Sequence, residues 1–370
     1  MRFCQPFQLS FIKDRTFNSI IMKAIKIITT ISIALIILSC QKEELYLEPS
    51  SNQLDSQSLS GRTLFESNVN LNFNLETTSS EMGGFAGQSM TLFKDQLWLV
   101  GGDNSHTPPW NSNSKVWKSN NGINWKLVTS NLFEERRNHS LLVFKNKMWL
   151  IGGINNTGEI LSDIWNTTDG IHWTRVRSLS PLTEIGQNNS IVFKKRLYVF
   201  LGNGRQNEEI WSSSDGINWR IETDNAFPVR SHYKTIVFDG YIYVIGGWIR
   251  GAELTNEVWA SADGSHWHQN RPATTIFENR INHTATIFDG KVWVIGGESW
   301  DKSGARTFYG DIWYSSNMKY WFKYDKKQPL YKGLQSHSSL NYNNKLWIFG
   351  GYRPDSSMAS IITDNIWSVE

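Results

Sequence analysis

Met148-Trp149-Leu150-Ile151-Gly152-Gly153 is one of six related copies of a single hexapeptide in this chain. The others start at Leu97, Leu197, Ile242, Val292 and Leu346, and all but the Leu197 copy end in a glycine pair. Ahead of each lies a short polar turn, and ahead of that an apolar run closing on an aromatic, as in Leu141-Leu142-Val143-Phe144. The closing aromatic stands at 93, 144, 193, 238, 288 and 342, so successive spacings are 51, 49, 45, 50 and 54. Two apolar runs joined by a tight turn read as a β-hairpin, and a fixed period of this length reads as a repeat architecture.

Working outward, each unit continues the same way. After a variable loop come an apolar residue and Trp at 117, 165, 211, 259, 313 and 367. A turn such as Ser213-Ser214-Asp215-Gly216 then leads to a second Trp at 125, 173, 219, 267 and 321. Asp-Gly between apolar runs favours a hairpin, because glycine accepts a positive φ and aspartate tolerates one. Each unit is therefore four short antiparallel strands. With Trp98, Trp149, Trp293 and Trp347 in the second strands, 15 of the 18 tryptophans fall into columns. A sheet apolar on both faces must be covered on both, and stacking such sheets around an axis does this while leaving only short edges.

The last unit ends at Glu370, after its third strand. Val69-Asn70-Leu71-Asn72-Phe73-Asn74-Leu75-Glu76 alternates apolar and polar residues as a half-buried strand does. It is expected to supply the missing outer strand and close the ring.

A period near fifty with a Gly-Gly pair and a later Trp resembles the kelch repeat. The resemblance implies an all-β chain, a six-bladed kelch-type β-propeller over 69–370 whose last blade is closed by an N-terminal strand. The Ser-x-Asp-Gly-x-x-Trp turn also resembles the Asp-box of sialidase-type propellers, one residue short, and that motif is structural. Kelch-type propellers include galactose oxidase, whose copper site needs a Tyr–Cys crosslink, and a periplasmic sialic-acid mutarotase.

The two cysteines, Cys4 and Cys40, both precede the repeats, so the propeller has no disulfide, thiol chemistry or Cys-ligated metal. This excludes the oxidase chemistry. The net charge of +3 and the lack of a dense basic run give no nucleic-acid signature. Met22-Lys23-Ala24-Ile25-Lys26 followed by an apolar run to Leu38 has the layout of a secretory signal, with Met22 as the expected true start. Ile37-Leu38-Ser39-Cys40 resembles the bacterial lipobox, which implies residues 1–40 as signal peptide and lipidation at Cys40. Gln41-Lys42-Glu43-Glu44 resembles a surface-export signal, and residues 41–68 read as a flexible tether. The expected location is the outer membrane, exposed at the cell surface, with the periplasmic face as the alternative and the lipid anchor as the membrane contact.

The approaches to the innermost strands and the loops between second and third strands open on one face. The first group carries Arg137, His139, Arg230, His232, Arg280, His283 and His337. His139, His283 and His337 share a column with Gln88 and Asn188, and His232 is one place out of register, which predicts a bulge. Kelch units use Arg and His here to tie blades together, and a role lining a ligand is the other reading. No acidic partner column is apparent, and no metal site is expected. Trp110, Trp248 and Trp300 lie in the second group of loops, placed as platforms for a sugar or a protein.

No nucleophile–base pair, phosphate loop or metal motif stands out. The expectation is a monomeric binding module without cofactor, taking a glycan or protein on this face. The alternatives are a sugar-modifying enzyme such as a mutarotase, with Arg137, Arg230 and Arg280 holding a carboxylate and Glu298 or Glu134 moving protons, and a structural subunit of an uptake complex.

Overall fold

The computed structural model describes residues 69–77, 82–104, 111–176, 190–202, 208–251, 253–355 and 359–370. The leader, Cys40, the tether, Trp110 and Asn188 lie outside the described residues. The described residues contain strands and no helix. Six antiparallel sheets follow the predicted order of innermost to outermost strand. The second blade is typical, with strands Ser140–Phe144, Lys147–Ile151, Ile164–Thr167 and Thr174–Arg175.

The turn between the first two strands is the same device in every blade. Both of its residues take positive φ, as at Lys94 (50°) and Asp95 (58°), or Asn343 (51°) and Asn344 (57°). Such two-residue turns match the right-handed twist of the paired strands. In four blades the second-strand Trp locks the turn, its indole N–H reaching the carbonyl of the aromatic five residues back: Trp98 to Phe93 at 3.1 Å, Trp149 to Phe144 at 3.0 Å, Trp293 to Phe288 at 2.8 Å, Trp347 to Tyr342 at 3.1 Å.

In the Ser-x-Asp-Gly turn only the glycine takes positive φ. The aspartate instead accepts backbone N–H bonds, as Asp215 does from Ile217 and Asn218, both at 2.8 Å. The glycine has a second constraint: a Cβ at Gly170 would stand 2.1 Å from Trp98 of the preceding blade, and one at Gly216 would stand 2.2 Å from Trp149. These turns are where one blade's indole docks on the next.

The apolar interior divides into six clusters, one at each interface between neighbouring blades. Neighbouring innermost strands touch all the way round, including the first against the last. The strand Phe73–Thr77 pairs antiparallel with Ile366–Val369, Phe73 opposite Val369 and Asn74 opposite Ser368. It is the outer strand of the sixth blade, and Leu71 and Phe73 pack into the cluster between blades five and six.

Candidate functional site

The residues before the innermost strands form two concentric sets. The outer set is a structural clamp. Arg136, Arg230 and Arg280 are at most 1% exposed, and each pairs with an acid of its own blade: Asp163 at 2.6 Å, Glu257 at 2.7 Å and Asp311 at 2.6 Å. Each also donates to the carbonyl of the first glycine of its pair, Gly152, Gly246 and Gly296, and lies over a Phe three residues back. The acids accept in turn from the third-strand indoles Trp165, Trp259 and Trp313. Arg230 and Arg280 are therefore not available to a ligand, and the arginine equivalent to them in the second blade is Arg136, not Arg137. The acid column is legible two residues before Trp, at 163, 209, 257 and 311, and was not anticipated.

His139, His283 and His337 are spacers between blades. Their Cε1 atoms stand where a Cβ on the preceding blade's Gly101, Gly246 or Gly296 would be 2.7, 3.0 or 3.2 Å away. Burial drives His139 and His337 down to about 3, and His283 also falls well below its ordinary value. They are neutral rings in a packed seam, and of the three only His337 also borders the axial channel described below.

His232 needs no bulge. Arg230 and Ser231 pair with Ile249 and Trp248, the ladder lapses at His232 and Tyr233, and it resumes in the same register from Lys234 opposite Ile245 to Phe238 opposite Tyr241, so no residue is inserted. Tyr233 fills the histidine position in this blade, donating its hydroxyl to Glu208 at 2.7 Å. His232 belongs to an inner set six residues before the closing aromatic: Gly87, Asn138, His232, Asn282 and Ser336, with φ of 63°, 54°, 58°, 56° and 54°. Their left-handed backbone turns the chain into the axis, which explains a run of Gly, Asn and other small or polar residues there.

Burial pushes the Glu208 carboxyl up to about 7 although Tyr233 and Arg230 oppose it. A carboxyl raised in the folded state contributes stability below its unfolded value near 4.5 and loses it as pH rises through about 7. Glu208→Gln is expected to flatten the decline over that window and to gain about 3 kcal/mol at pH 8. Urea unfolding from pH 4 to 8 measures this, and parallel pH profiles for the two proteins would rule it out.

The inner set borders two stacked cavities on the axis. The mouth, about 220 Å³, is lined also by Asp103, Arg137, Glu298, Arg306 and Tyr352. Glu298 is tied to Arg306 at 2.9 Å and to Asn282 at 3.0 Å, and Arg137 donates to the Asn155 carbonyl at 3.0 Å. Below it lies a channel of about 190 Å³ lined by all six innermost strands. Of the groups considered for sugar chemistry, Arg137 and Glu298 reach the mouth. Glu134 lies elsewhere, bonded to Asn155 at 2.6 Å beside a shallow depression.

A third cavity, about 700 Å³, is off the axis between the fourth and fifth blades. Trp248 (38% exposed) and Trp300 (40% exposed) both line it, with Tyr309, Glu253, Glu278, Asp301 and Lys302. The loops that carry the indoles are built by the pairing of Tyr241–Ile249 with Leu254–Ser261 and of Glu298–Trp300 with Arg306–Phe308. Tyr309 is backed by the Arg280 guanidinium, 4.4 Å from its ring centre, so the clamp also fixes one wall of this cleft.

Glycine-pair strands, recurring Trp, six four-stranded blades and strand exchange at closure define the class: the chain is a kelch-type β-propeller, a fold that serves as a binding or enzymatic module. The sequence model of the family described as "DUF6242 beta propeller domain" matches residues 167–286, about a third of the chain. An F-box/kelch-repeat protein of Arabidopsis thaliana is 27% identical over 252 residues, 58% of this chain and 51% of that protein. Beta-scruin of Limulus polyphemus is 28% identical over 129 residues, 34% of this chain and 13% of that protein. Of the curated relatives it matches, the chain thus spans about half the length or less. The solved structure titled "Structure of YjhT" superposes with a TM-score of 0.62 at 13% identity, covering 78% of this chain and 95% of that one, a likeness of fold alone.

Proposed function

We propose that the propeller is a binding module for a neutral glycan, docked between Trp248 and Trp300. One observation carries this reading: two half-exposed indoles from neighbouring blades line a single cleft with three carboxylates. Sugar rings present C–H faces that pack on aromatic planes and hydroxyls that donate to carboxylates. The cleft falls inside the range of about 300–1,000 Å³ usual for ligand sites. Glu253, Glu278 and Asp301 outnumber Lys302, so an acidic sugar is disfavoured there. At the mouth His232, drawn down to about 4 by burial, is a weak base at neutral pH, which favours binding over acid–base turnover. The lipobox at Cys40 fits the same reading, a tethered module capturing glycans at the cell surface.

A glycan array probed with the purified protein tests the proposal. Neutral oligosaccharides are expected to bind, and Trp248→Ala or Trp300→Ala to weaken binding about tenfold, the equivalent of ~1.4 kcal/mol. Failure to bind any neutral glycan, or binding indifferent to both substitutions, would leave a protein partner as the better reading.

A further inference from the structure

The axial channel has a chemistry of its own. Four residues before each closing aromatic stand Ser89, Ser140, Lys234, Thr284 and Ser338, with Asn189 of the third blade outside the described residues. The hydroxyls lace neighbouring blades: Ser89 donates to the His139 carbonyl, Ser338 to the Gln88 carbonyl at 3.1 Å, and Thr284 meets His337 Nε2 at 2.8 Å. Lys234 puts an ammonium where its four described counterparts have a hydroxyl. Among the described residues nothing pairs with it, and no Asp or Glu lines the channel. Ser190, in the same lining, has a buried hydroxyl with no partner among the described residues.

We infer that the channel is a binding site for a small monovalent oxyanion of the carboxylate class, held by the Lys234 ammonium and the Ser190 hydroxyl. A buried ammonium without a counter-charge is costly, and it either sheds its proton or recruits an anion. Burial pulls Lys234 down only to about 8, so the group is still mostly cationic at neutral pH. The titratable groups facing it, His232, His283 and His337, are held neutral, so the cavity carries a single positive charge. Two donors on neighbouring blades suit an acceptor with two oxygens better than a halide. At roughly 30 Å³ per water, 190 Å³ is room for about six waters, ample for an acetate-sized ion. The site is separate from the tryptophan cleft and does not depend on it.

Calorimetric titration of the full chain with sodium acetate at pH 7 tests the inference, with sodium chloride and sodium phosphate in parallel. Acetate is expected to bind saturably at one site and to weaken up to tenfold per pH unit above pH 8, because only the charged lysine holds it. Lys234→Met is expected to abolish the heat, Lys234→Arg to keep it, and Ser190→Ala to reduce affinity several-fold, while Trp300→Ala leaves it unchanged. Thermal melts without acetate check folding, and the Met variant should melt no lower than the parent. Absence of saturable acetate binding, or equal binding by the Met variant, overturns the site. Tighter binding of chloride or of phosphate overturns its assignment to a monovalent carboxylate.

Discussion

Arg280→Met should unfold with about 3–5 kcal/mol less free energy than the parent chain, although methionine fits the space and is apolar. The guanidinium donates to Asp311 Oδ1 at 2.6 Å and Oδ2 at 3.0 Å, to the Gly296 carbonyl at 2.9 Å and to the Glu278 carbonyl at 3.1 Å. Methionine replaces none of these, and it strands a carboxylate whose side chain is 13% exposed. Burial alone would push Asp311 up, but the Arg280 hydrogen bonds and charge, with the Trp313 indole, outweigh it and hold the carboxyl below its ordinary value. A carboxyl depressed in this way contributes stability above its unfolded value and loses it as pH falls through the folded one. The deficit of Arg280→Met should therefore be greatest near neutrality and shrink in acid, and adding Asp311→Asn should recover part of it. Urea unfolding at pH 7 and pH 4 supplies the numbers. A loss under 1 kcal/mol at pH 7 would mean the pair is too well hydrated to act as a clamp.

Removal of residues 1–77 should cost at least about 5 kcal/mol, whereas removal of 1–68 should cost little. The segment from Leu71 to Thr77 contributes a buried anchor, Leu71, worth ~1.5–3 kcal/mol, and a half-buried one, Phe73, worth less. Reciprocal bonds between Asn72 and Glu370, N to O at 2.9 Å and 3.1 Å, extend the ladder, and each such bond nets ~1 kcal/mol. The Tyr324 hydroxyl holds the Leu71 backbone on both sides, at 3.3 Å to N and to O. Without the segment, Ile366–Val369 becomes an open edge and the seam between blades five and six loses part of its filling. Circular dichroism melts of the two truncations decide the matter: equal midpoints would show that the ring stands without its closing strand.

Much of this architecture was legible in the amino-acid sequence because repeats make local signals redundant. Polar two-residue turns, glycine pairs and Trp columns gave the strand order, and unbroken apolar–polar alternation near Phe73 marked the strand that pairs with Ile366–Val369. The sequence also contained the Arg–acid clamp. It went unread because Arg136, Arg230 and Arg280 find their acids 27, 27 and 31 residues downstream, across two strands. His232 misled by identity: an imidazole one place early suggested a bulge, while Tyr233, five residues before Phe238, was filling the slot and the register was the same on both sides of it.

Local pattern by itself determined the blades, their number and the way the ring closes, because hairpin pairing and alternation are set by residues a few positions apart. Which side chains face a ligand was decided only by the closed ring. Trp248 and Trp300 come from different blades and share a cleft because adjacent sheets fan around one axis. Lys234 becomes an axial charge for the same reason: six strands converge there, and no stretch of sequence records what stands across the gap.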